Sequence, residues 1–144
     1  MKRKSLICLL LVMCFLSSMG TVFAAEPETP VEPDPIEPYV GLKSANGTIS
    51  ISSSGIATCK GKVTLYAGYT AEVTVTLQRK SGSIWYDYAN WSGSGSSPVV
   101  VSNSTSSSIP SGYQYRTYVY VEVYDSNNNY VESAEAWSSV KSYP

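Results

Sequence analysis

YRTYVYVEVYDSNNNYVESAEAW (115–137) sets Tyr118, Tyr120 and Tyr124 on one parity and Val119, Val121 and Val123 on the other. A repeat of two residues is the signature of a strand with one face in a core. The valines are that face. DSNNN (125–129) is rich in turn formers, and YVESAEAW (130–137) then returns as a second strand, so the stretch reads as an antiparallel hairpin. The tyrosines are left facing outward, either as ordinary strand residues or as a surface that binds something.

Working back toward the amino end, the same period recurs. GIATCKGKVTLY (55–66) places Ala57, Cys59, Gly61, Val63 and Leu65 on one face. AEVTVTLQR (71–79) turns Val73, Val75 and Leu77 inward and Thr74, Thr76 and Gln78 outward. A tight KSGS turn (80–83) leads into IWYDYANW (84–91), where Trp85, Ala89 and Trp91 share one parity and Ile84, Tyr86 and Tyr88 the other. A Gly/Ser loop is expected next, followed by PVVVS (98–102) as a short edge strand whose proline stands where a lost donor costs little. Near the start, an Asn46-Gly47 turn is expected before TISIS (48–52), with a short strand over 40–43 ahead of it. These residues are dominated by Val, Thr, Ser, Ile and Tyr, with no helical periodicity. The expected class is an all-β antiparallel sandwich of about seven strands over 39–144, long enough for one core without disulfides.

The remaining residues speak to location. MKRKSLICLLLVMCFLSSMGTVFAA has a basic start at Lys2, Arg3 and Lys4, an apolar stretch of about a dozen residues, and small residues at Val22 and Ala24. That is the pattern of a signal peptide over 1–24, too short to span a bilayer, with cleavage after Ala24. EPETPVEPDPIEP (26–38) alternates five prolines with carboxylates. It cannot bury enough apolar surface to offset its ordering entropy, so a disordered Pro/Glu-rich leader is expected over 25–38. Extended at about 3.1 Å per residue it would reach roughly 40 Å.

Removing the first segment takes Cys8 and Cys14 with it and leaves Cys59 alone, so no disulfide forms within the chain. Inward alternation with Ala57 and Val63 makes Cys59 a small buried hydrophobe. The ten basic residues fall to seven against eleven acidic ones, a net charge of minus four. General attraction to nucleic acid or to an anionic membrane is not expected. No sorting motif stands in the final SSVKSYP, so the expected location is secreted and unanchored.

A resemblance enters at IPSGYQYRTYVYV (109–121). Ile109, Pro110, Gly112 and Tyr115, with Thr117, Val119 and Val121 continuing inward, resemble the tyrosine corner of Ig-like and fibronectin-III-like sandwiches. In that corner the tyrosine hydroxyl bonds back to the backbone. GIATCKG, VTLQRKSGSIW, YR and VES are also similar to small exported domains of unknown function from clostridial-type Gram-positive bacteria. That resemblance implies architecture and location and carries no activity.

Chemistry is sparse. There is no histidine, which removes the commonest general base and the commonest zinc ligand together. With one buried cysteine, no thiolate metal site is expected and no cofactor is implied. Glu72, Asp87, Glu122, Asp125, Glu132 and Glu135 do not form a glycosidase pair in any recognisable context. DSNNN lacks the central glycine and the twelfth-position glutamate of a calcium loop, where Ala136 stands. The chain is expected not to be an enzyme.

What remains is surface. If the strands over 71–79 and 115–124 are neighbours, Thr74, Thr76 and Gln78 lie beside Tyr118, Tyr120 and Tyr124. Rings, hydroxyls and an amide of that kind stack on sugars or contact a protein; equally, they are good residues for an exposed strand. The expected function is a secreted non-catalytic binding or interaction module, with protein or glycan at a cell surface as partner. The alternatives are a cell-wall or host glycan-binding module, and a secreted antimicrobial or toxin-like protein.

Overall fold

The structure, a computed structural model, describes residues 39–144; the expected signal peptide (1–24) and leader (25–38) lie outside the described residues. Eight strands follow one another: β1 (Leu42–Ile51), β2 (Ala57–Leu65), β3 (Thr70–Ser81), β4 (Ile84–Ser96), β5 (Val99–Ser104), β6 (Tyr113–Tyr124), β7 (Tyr130–Trp137) and β8 (Lys141–Tyr143). All pair antiparallel. One sheet has the order β1-β2-β5, and the second β4-β3-β6-β7, with β8 also paired to β6. The chain is an all-β sandwich. Among the described residues no helix is long and apolar enough to cross a membrane.

The alternating residues meet between the layers. Ala57, Cys59, Val63 and Leu65 of β2 and Val99 and Val101 of β5 face Val73, Val75 and Leu77 of β3 and Val119, Val121 and Val123 of β6, all buried. These are the inward sets expected from the period of two. Cys59 is fully buried and free, and burial pushes its thiol above the usual range, with a hydrogen bond to Thr117 opposing the shift.

Asn46-Gly47 is not a turn. β1 runs straight through it, with Asn46 paired to Lys62 and Gly47 to Gly61. The reason lies in the other sheet. A Cβ on Gly61 would stand 2.6 Å from a Val75 methyl, and one on Gly47 3.1 Å from a Val119 methyl. The two glycines sit side by side where valines of β3 and β6 reach across, so they serve close approach rather than reversal.

Two further expectations are corrected around β4. The Gly/Ser run SGSGS is strand, not loop, held by the ladder from Thr70↔Ser96 to Thr74↔Ser92. The shared parity of Trp85 with Ala89 and Trp91 also fails. Leu77 pairs with Ala89 but Gln78 pairs with Asp87, so Tyr88 is an extra residue, a bulge. One inserted residue flips every side chain beyond it to the opposite face. Ala89 and Trp91 pack against the core, while Trp85 pairs with Lys80 on the outer side.

The eighth strand was not expected. β7 ends at Trp137, and Ser138 takes over the ladder by accepting the Thr117 amide on its hydroxyl at 2.8 Å and donating its own amide to Thr117 at 2.9 Å. β8 then pairs with residues 113–115 of β6. At the other end of the sandwich, the Glu132 carboxylate accepts the amides of Val40, Gly41 and Leu42 at 3.0, 2.7 and 2.8 Å, fastening the start of β1 to β7.

The corner at Tyr115 has the expected form. Its ring is fully buried, and its hydroxyl donates to the Pro110 carbonyl at 2.7 Å. Gly112 takes φ +80° there, a conformation that favours glycine. The Tyr88 ring meets the Tyr115 ring edge-on at 6.3 Å. Arg79 lies 4.6 Å from the Tyr113 ring and 5.8 Å from that of Tyr88.

Candidate functional site

β3 and β6 are neighbours, so the outward residues named from the sequence do share one surface. Thr74 pairs with Tyr120, Thr76 with Tyr118, and Gln78 with Arg116. Tyr124 lies opposite Thr70 at the sheet's end. Of the six, Thr76 is withdrawn from that surface. It is 5% exposed, flanked in the sheet by Asn90 and Tyr118, and offers a partner almost nothing.

The tyrosines are held rather than free. Tyr118 donates its hydroxyl to Glu135 at 2.6 Å and lies 5.6 Å from the Trp137 ring at a 33° tilt. Tyr120 and Tyr124 both donate to Glu122, at 3.3 and 3.1 Å. Tyr124 also meets Tyr130 edge-on at 6.2 Å. Desolvation, then the hydrogen bond and charge of Glu135, push the Tyr118 hydroxyl up to about 12. Desolvation and Glu122 raise that of Tyr124. Each ring is fixed in orientation by a carboxylate, which lowers the entropy lost on binding.

Sequence reasoning missed the part of the face nearest the β3–β4 turn. Trp85, Arg116 and Trp137 come together there from β4, β6 and β7. The Arg116 guanidinium lies 4.3 Å from the Trp85 ring and 5.8 Å from that of Trp137. Gln78 orders the group, accepting from Arg116 Nε at 2.8 Å and donating to Asp87 at 2.8 Å. Cations over indoles are favourable contacts in themselves. Trp137 lay in the opening hairpin, but counting from the turn at Tyr124↔Tyr130 would set Ala136 opposite Tyr118; a bulge at Val131 moves Trp137 there instead. Trp85 was hidden by the bulge at Tyr88. Trp137 and Tyr130 remain 48% and 56% exposed.

The calcium-loop pattern at 125–129 is a turn that uses its own carboxylate. Asp125 accepts the amides of Asn127 and Asn129, both at 2.9 Å, and the Asn129 side chain at 3.1 Å. The Asn129 amide chiefly holds the Asp125 carboxyl below its ordinary range. Asn128 takes φ +61°, as a tight turn requires. Among the described residues no three His, Cys, Asp or Glu side chains come together to hold a metal ion.

No family model, no curated protein and no solved structure matches this chain. The face itself therefore carries the functional reading.

Proposed function

We propose that the chain is a secreted, non-catalytic binding module that engages its partner through the outer face of the β4-β3-β6-β7 sheet. One observation carries this reading: Trp85, Tyr118, Tyr124, Tyr130 and Trp137, drawn from three strands, share that face with Arg116 between two indoles. Aromatic and arginine side chains presented this way are the usual energetic centre of a binding surface. The rings are also held by carboxylates in one orientation, so a partner meets a formed surface. Export is supported by the signal-peptide pattern at 1–24; protein in the culture medium beginning at Ala25 is the expected product. We further read the sandwich as Ig-like, of the fibronectin-III kind, in keeping with the orders β1-β2-β5 and β4-β3-β6-β7 of its two sheets, β8 adding a fifth strand to the second, and with the Tyr115 corner.

A glycan is the second reading. The half-exposed rings of Trp137 and Tyr130 are of the kind that stacks on sugar rings, and Glu122 and Glu135 on the same face are acceptors for sugar hydroxyls. The test is retention of the wild type on peptidoglycan, a glycan array and candidate surface proteins, beside a variant with Tyr118, Tyr120 and Tyr124 all changed to Thr. Thr suits a strand, so native circular dichroism with lost retention is the expected result. Retention on a glycan that persists in high salt supports stacking, whereas loss with salt points to charge. A wild type held by none of these surfaces, or a triple variant that binds as well, would reduce the tyrosines to strand residues.

A further inference from the structure

Charge is divided between the two sheets. β1, β2 and β5 contain no aspartate or glutamate, and they carry Lys43, Lys60 and Lys62. Glu72, Asp87, Glu122, Glu132 and Glu135 all belong to strands of the other sheet. The net charge of the chain conceals this division, because five of its eleven acidic residues precede residue 39. Lys60 and Lys62 are exposed on β2, the middle strand, on the face opposite to buried Cys59 and Val63. In register, Lys60 lies between Thr48 and Ser102, and Lys62 between Asn46 and Val100. Tyr66 continues the same parity, its amide donating to the Gly41 carbonyl at 2.8 Å, and Lys43 lies 4.8 Å from its ring. The cations therefore follow one strand.

Successive outward residues of a strand stand about 7 Å apart, and the row from Lys60 to Tyr66 spans roughly 20 Å. A single anion at one exposed lysine gains little, because water screens the pair. A chain of anions lying along β2 meets every cation of the row, and each contact after the first is made within one complex. No carboxylate of this sheet competes for the lysines. The chemistry of the anion follows from the side chains. Lysine is a point charge that suits phosphate, and the forked arginine that clamps carboxylates is missing from these strands. β1, β2 and β5 also hold no aromatic residue, so nothing on them stacks on nucleobases. Asn46, Thr48 and Ser102 beside the lysines instead present an amide and hydroxyls, which suit a polyol. We infer that the outer face of the β1-β2-β5 sheet binds a polyol phosphate polymer, its phosphodiesters running along the row of Lys60, Lys62 and Lys43.

The probe is immobilised poly(glycerol phosphate), read by biolayer interferometry with the purified full chain between about 50 and 200 mM salt. The wild type should bind, with log affinity falling against log salt at a slope of about −2, as for three phosphate contacts on a single strand. Lys60→Gln with Lys62→Gln removes charge from two exposed side chains, so circular dichroism should stay native. That variant should bind about tenfold more weakly, and its slope should shrink to about −0.7. Lys80→Gln with Lys141→Gln removes the same charge from the other sheet and should bind as the wild type does. A wild type that does not bind would overturn the inference. So would a Lys60/Lys62 variant that binds as well, or a Lys80/Lys141 variant that loses as much, since overall charge would then decide. Equal binding to oligothymidylate, or binding only to vesicles containing phosphatidylglycerol, would also overturn it by assigning the face to a nucleic acid or a membrane. Binding that appears only once Glu26, Glu28, Glu32, Asp34 and Glu37 are changed to amides would assign the face to the chain's own leader. The tyrosines stand on the other sheet, so the outcome is separate from whether they bind anything.

Discussion

Gly61→Ala tests the contact that brings the two sheets together. The added methyl would lie 2.6 Å from Val75 Cγ2 and 3.3 Å from both methyls of Val119. Carbon atoms are at ease at about 3.5–4.0 Å, so the closest contact must open by roughly 1 Å. Neither valine has anywhere to go. Both are fully buried, and a β-branched side chain has few χ1 positions to choose from. The sheets must part instead, and overpacking of this kind costs about 1–3 kcal/mol. With about 2 kcal/mol lost, a domain of this size should melt roughly 8–16 °C lower. Gly47→Ala, whose nearest contacts are 3.1 and 3.2 Å, should lose less. Thermal and urea denaturation followed by circular dichroism measure both. Combining Gly61→Ala with Val75→Ala makes the test specific, because the second change removes the methyl that the first one meets. The double variant should be more stable than the sum of the two single losses predicts, by about 1 kcal/mol or more, within the range seen for residues in contact. An unchanged midpoint for Gly61→Ala, or strictly additive losses, would refute the claim that this glycine exists for close approach.

Tyr115→Phe removes the hydroxyl that bonds to Pro110 and should cost about 0.5–1.5 kcal/mol; an identical denaturation midpoint would mean the corner does not depend on that bond. Cys59 should react slowly with a thiol reagent in the native protein and rapidly in denaturant, since burial both hides the thiol and raises its pKa. Fast native labelling would contradict the packing described. Tyr118 should be among the last tyrosines to ionise in an ultraviolet titration, at about pH 12. An unfolded tyrosine ionises near pH 10, so its contribution to stability is intact below about pH 10 and is lost as pH rises toward 12. Tyr118→Phe should remove that part of the alkaline loss. A wild-type titration complete by about pH 11 would defeat the assignment.

Local pattern was enough wherever one face of a strand is core. β2, β3 and β6 could be read off the chain because each alternates strictly, and register follows when a one-residue slip would expose a whole apolar face. The hairpin at 125–129 was legible too, since the turn is held by its own Asp125. The bond from the Tyr115 hydroxyl back to the backbone at Pro110 was anticipated by the resemblance of residues 109–115 to a tyrosine corner. The outward positions of Thr74, Gln78, Tyr118, Tyr120 and Tyr124 followed from the same alternation.

Tertiary structure decided the rest, each time through a contact distant in sequence. Asn46-Gly47 has the local chemistry of a turn, yet it lies mid-strand because Val119 of the opposite sheet needs the space at Gly47. SGSGS has the composition of a loop, and it is strand because β3 supplies a ladder for it. The bulge at Tyr88 leaves no mark in the composition of IWYDYANW. It still moves Trp85 from the core face to the outer face, and only then do Trp85, Arg116 and Trp137 meet. Thr76 kept the parity read for it but lost its exposure to its neighbours. The period of a strand is a property of the strand alone, and so it survives in the sequence. Which strands lie side by side, where one residue is inserted, and how closely two layers approach are properties of pairs of elements, and they exist only once the chain has folded.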